Sequence, residues 1–133
     1  VRVLNPGPGE LYDRLSVLKL KIEFGKQRGV NVDEWENEEY EILQTIVGRD
    51  NPKDEELIAQ LDAVNRNIWV AIDAQKGFAK LDLTIVEEAK LREIAALGLN
   101  VMEQNDIRAK LIGEINALYG IERPEKVPGP SSL

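Results

Sequence analysis

Two pairs of acidic residues, Glu36 with Glu39 and Glu103 with Asp106, stand at a spacing that puts both carboxylates on one helix face. Each pair offers hard oxygen ligands of the kind that hold Mg²⁺. Facing each other, the two pairs would supply the two halves of one such site. A second group is of another kind. Asp13, Lys21, Asn65, Asn105 and Arg108 are polar residues set in or beside apolar stripes, with Trp69 alongside. Carboxylate, guanidinium and amide groups that converge inside a helical protein either satisfy one another or receive a small polar ligand.

Arg108 makes the second group the more informative. Read at helical spacing, Val101, Asn105, Arg108, Ile112, Ile115 and Tyr119 share one face. An unpaired guanidinium in a core is very costly, so an inward Arg108 requires an acidic or ligand partner. Asp13 borders the Leu11–Leu15 stripe and is the expected partner, because a bidentate Arg–carboxylate pair satisfies both groups. Asn65 sits beside Val64 and four residues before Trp69, and Lys21 lies eight residues after Asp13. The bland reading is a buried salt bridge with supporting amides that fixes helix register, the best-attested use of such groups. The functional reading is a pocket for a small anionic or sugar-like ligand. A third has Arg108 reaching solvent along its own stem.

Composition removes many alternatives. The 133 residues include no Cys and no His, which excludes disulfides, thiol nucleophiles, Cys/His zinc sites and imidazole acid–base chemistry. A net charge of −7 argues against general binding to a phosphate backbone, so no nucleic-acid partner is expected. Residues 1–30 carry six basic and three acidic side chains, whereas residues 31–62 carry two and eleven. The basic stretch is therefore expected to meet the acidic one, within the chain or across a dimer. No apolar run approaches the roughly 20 residues of a membrane span, and no charged leader precedes an apolar segment. A cytoplasmic protein without a membrane partner is the expectation. Trp35, Trp69 and Tyr119 read as packing residues. The GPG before Glu10 lacks the pattern of a phosphate loop, although N–H groups at that helix start are a candidate anion seat.

These groups must be positioned by helices. An irregular arm, VRVLNPGPG, precedes a first helix from Glu10 to about Gln27, with Leu11, Leu15, Leu18 and Ile22 as its stripe and Gly29 as its stop. Asp33 with Glu36 has the form of a capping box opening a second helix that runs to about Val47. GRDNP is a turn, and Pro52 opens a third helix reaching Lys76. Residues from about Thr84 to Tyr119 read as a fourth helix without a proline, about 54 Å long against about 37 Å for the third. Either that rod breaks near Gly98, or its overhang packs on another subunit, which makes a homodimer the expectation. The spacing predicts an all-α, four-helix bundle-like domain over residues 1–120 with a long C-terminal helix. Irregular N- and C-terminal tails flank the helices, residues 121–133 forming a flexible one.

Two resemblances follow from these residues. The acid pairs loosely resemble the E-x-x-E plus E-x-x-D arrangement of the all-α nucleotide pyrophosphatases, the MazG-like and dimeric dUTPase families. Ile42 stands where the last Glu of the full pattern falls, and the pairs are not on consecutive helices. The stretches GELYDRLSVLKLKIE (9–23), LDAVNRNIWVAID (61–73) and NDIRAKLIGEINALYG (105–120) resemble, in order, three signatures of a family of small uncharacterised all-helical bacterial proteins. The shared polar pattern falls on Glu10, Asp13, Arg14, Lys21, Asn65, Trp69, Asn105, Asp106, Arg108, Glu114 and Asn116. Lys19 departs from it, as does the acidic segment 33–56. The resemblance implies a helical domain and a link to surface-polysaccharide metabolism, and supplies no reaction. The expectation is a binding or interaction protein without a cofactor. The alternative is a Mg-dependent nucleoside triphosphate pyrophosphohydrolase using Glu36, Glu39, Glu103 and Asp106.

Overall fold

The computed structural model describes residues 7–46, 54–82 and 84–120. Four helices follow in order: α1 (Pro8–Gln27), α2 (Asp33–Ile46), α3 (Glu55–Phe78) and α4 (Glu88–Leu118). No strand occurs among the described residues, and the arrangement is the four-helix, bundle-like all-α fold that the periodicity predicts. The arm through Pro6, the end of the second helix at Val47, the GRDNP turn with Pro52, and the tail 121–133 lie outside the described residues.

Local chemistry sets the helix ends. Pro8 opens α1, where a missing N–H costs nothing. Gly29, at φ 72°, closes it, and the Val30 N–H turns back to the Gly25 carbonyl at 2.9 Å. The expected capping box does not form. Asp33 is the first helical residue, and its own N–H donates to the side-chain carbonyl of Asn31 at 3.0 Å. Before α4, Asp82 accepts both the N–H and the hydroxyl of Thr84 (3.0 and 2.7 Å), so the helix begins at Glu88 and not at Thr84. Gly98 does not break α4, which runs unbroken for 31 residues, about 46 Å.

Packing divides the molecule into two helical hairpins. Between α3 and α4, Leu61, Val64, Ile68, Leu111, Ile112 and Ile115 form one buried apolar cluster. Between α1 and α2, Leu15, Leu18, Ile42 and Ile46 form a second, and Tyr12 borders both. The leucine stripe of α1 thus faces α2, which touches no other helix among the described residues. Toward α3 and α4, α1 presents a different side, with buried Asp13 and Ser16. Cross-helix pairs give the directions: α1 runs parallel to α3 (Glu23–Arg66, Arg28–Asp73) and antiparallel to α4 (Gly9–Asn116, Asp13–Arg108). No described helix is long and apolar enough to cross a membrane.

Candidate functional site: a shared carboxylate beside a cavity

Asp13 is the point where three helices meet. Arg108 of α4 donates through Nε to Oδ1 at 2.7 Å and through a terminal nitrogen to Oδ2 at 2.5 Å, the bidentate geometry expected from the sequence. Asn65 of α3 donates its amide to the same Oδ1 at 3.0 Å. Asp13 and Asn65 are buried, whereas the Arg108 side chain remains 30% exposed. That exposure leads into a cavity of about 370 Å³ between α1 and α3, with Arg108 at its edge. Trp69 and Ile72 supply an apolar wall, and Arg28, Asp73 and Lys76 line the rim. Arg28 pairs with Asp73 at 3.0 Å, and Trp69 stacks on Phe24 with centroids 5.5 Å apart and planes 11° from parallel.

Other expected residues lie elsewhere. Asn105 is exposed and donates back to the Val101 carbonyl of its own helix at 3.0 Å, which satisfies its amide without any partner helix. Lys21 points to the α2 side, its ammonium 5.9 Å from the Trp35 ring centre. Eight residues along a helix turn about 80° away from Asp13, enough to reach a different neighbour. The four acids of the metal alternative are not brought together. Glu36 and Glu39 are on α2 and Glu103 and Asp106 on α4, and those helices do not touch. Among the described residues no group of three or more acids is placed to hold a metal. Glu36 instead faces Lys26 at 3.8 Å, and Glu38 takes Arg14 at 2.6 Å. The basic stretch therefore meets acidic α2 within the chain. The hydrogen bond from Arg14 holds the Glu38 carboxyl below its usual range, and the same bond raises the guanidinium's own value.

No protein-family model, curated protein or solved structure matches this chain. The site's reading therefore stands on its geometry.

Two further polar junctions tie α4 to the rest. Asn116, almost wholly buried, accepts the Gly9 N–H at 2.7 Å and donates to both oxygens of Glu10 at 3.1 and 2.9 Å. The Gly9 N–H at the start of α1, part of the candidate anion seat, is thus already taken. In the sequence, Asn116 is marked only by the resemblance. Its signal is a polar residue next to Ile115, four positions after Ile112, on the flank where α1 crosses. The second junction is Tyr119, whose hydroxyl donates to the buried Asp54 carboxylate. Burial, then the hydrogen bonds with Asp54 and Tyr12, hold the Tyr119 phenol well above the ordinary tyrosine value. Tyr119→Phe removes a donor from a buried carboxylate and is expected to cost about 1.5–3 kcal/mol in urea unfolding. An unchanged midpoint would show that Asp54 draws nothing from this contact.

Proposed function

We propose that this protein binds a small anionic ligand, sugar phosphates being the favoured class, in the cavity beside Asp13 and Arg108. On this reading it is a homodimeric binding or interaction module and not a catalyst. What supports it is the Arg108 guanidinium, which spends Nε and one terminal nitrogen on Asp13 and meets the cavity with donors to spare. The charge balance around the cavity agrees. Arg108 is offset by Asp13 and Arg28 by Asp73, while Lys76 has no ion pair among the described residues. One excess positive charge beside an apolar indole wall suits a ligand with one anionic group and a ring. The cavity volume is in the range of small-molecule sites. The resemblance to a family linked with surface polysaccharides supports phosphorylated sugars as the first probes.

The test uses Trp69 as reporter in a Trp35→Phe background, titrated with inorganic phosphate, glucose 1-phosphate and neutral glucose. Saturable quenching by the sugar phosphate below about 1 mM is the expected result, lost when Lys76→Ala is combined with Arg28→Ala. Those two side chains leave the Asp13 pair intact, so the melting temperature should hold. No response to any of the three probes at millimolar concentration would overturn the reading.

A further inference from the structure

One end of α4 is covered by α1 and the other is not. α1 packs on α4 at Ile112 and Asn116, where an added Cβ on Gly9 would meet the Ile112 carbonyl. Further toward the N-terminus, α4 carries Leu91, Ala95, Leu99 and Met102 on the side turned away from α3. Leu91 is 39% exposed, Leu99 67% and Met102 57%. The side turned toward α3 is identified by Lys90, over the Phe78 ring, and Gln104, against Asn67.

We infer that this face is where two copies of the chain meet, α4 against α4 in antiparallel sense. The inference rests on the homodimer part of the reading above and is independent of the ligand. Steric pattern is the first argument. Leu91 and Met102 stand at the two ends of the face with Ala95 and Leu99 between them, so an antiparallel pair sets Leu91 against the partner's Met102. Ala95 then lies near the two-fold axis, where a small side chain lets the backbones approach.

Charge is the second argument, and it fixes the direction. Arg92 and Glu103 flank the face on the same side. Residues on one flank face their own kind in an antiparallel pair, which places Arg92 opposite the partner's Glu103, twice by symmetry. In a parallel pair that flank would face the partner's opposite flank, and Arg92 would not meet Glu103. Glu103 has no ion pair among the described residues, and Arg92 has only an exposed i,i+4 contact to Glu88, which stabilises little. The other occupant of this face within the chain would be residues 121–133.

The chain has no cysteine, so single introduced thiols are unambiguous reporters. Leu91→Cys and Met102→Cys are prepared separately, mixed, and oxidised gently. The mixture should give covalent dimer about tenfold over either variant alone, because disulfide geometry tolerates little misalignment. Met102→Glu should convert the protein to a monomer in sedimentation with its helix content intact and a melting temperature that no longer depends on concentration. Self-linking of Leu91→Cys alone as strongly as in the mixture would overturn the antiparallel pairing. A wild-type protein that sediments as a monomer would overturn the inference and the dimer together. A dimer whose mixed thiols do not link would overturn the inference alone. A chain ending at Gly120 should still cross-link; loss of the link there would give this face to the tail.

Discussion

Arg108→Met is expected to lower the free energy of unfolding by about 3 kcal/mol. The methionine keeps most of the side chain's apolar contact and removes only its charge, so the loss reads the ion pair. Asp13 would remain among packed helices with the neutral Asn65 amide donating to it and no cation. An uncompensated buried charge costs more than the pair itself contributes, and the figure is at the low end of the usual range because the Arg108 side chain keeps some water. In a chain of this size the midpoint of thermal unfolding should fall by about 10 °C. Replacing Asp13 as well, by Asn, should recover part of the loss, since no charge is then stranded. Urea unfolding with an unchanged slope measures both effects. A single variant as stable as wild type, with its double no different, would show that the two groups are uncoupled.

Gly9→Ala should be the other severe substitution, against the trend of helix propensity. In an open helix the change stabilises by up to about 1 kcal/mol. At Gly9 a Cβ would clash with the Ile112 carbonyl oxygen, a backbone atom that no rotamer change can move. α1 and α4 would have to separate, stretching the Asn116 hydrogen bonds to Gly9 and Glu10 at the same point. The expected loss is about 3 kcal/mol, the upper part of the overpacking range. Gly77→Ala is the control. It lies within α3, an added Cβ there meets nothing within 4 Å, and the substitution should raise the melting temperature slightly. Equal behaviour of the two alanines would remove the close crossing from the account.

The helices were legible because their punctuation is local. Gly29 closes α1 and an unbroken proline-free run gives α4, whereas Pro8 and Gly9, read as part of the irregular arm, form the first turn of α1. The pairing of Arg108 with Asp13 was legible for a thermodynamic reason: a guanidinium on an apolar face must find a carboxylate, and few candidates lay on another stripe. What periodicity does not give is the side from which a neighbour approaches. Asn105 and Asn116 both flank the inward face of α4, yet only Asn116 lies where α1 crosses. Lys21 failed for the same reason, since α1 is apposed to α2 on one side and to α3 and α4 on the other. The leucine stripe of α1 was legible as a buried face, but its partner is α2 alone. The acid pairs had the right local spacing, and only the absence of any α2–α4 contact separates them.

The two sides of α1 also set how the molecule comes apart. Within each hairpin the helices are joined by hydrocarbon, which water cannot replace at any intermediate separation. Between the hairpins lie carboxylate, amide and guanidinium groups, each of which water can solvate as soon as it enters. Partial opening should therefore follow that line, with α1–α2 swinging as one leaf and α3–α4 as the other. The cavity beside Trp69 lies along the same fissure, so a molecule lodged there would act as a latch between the leaves.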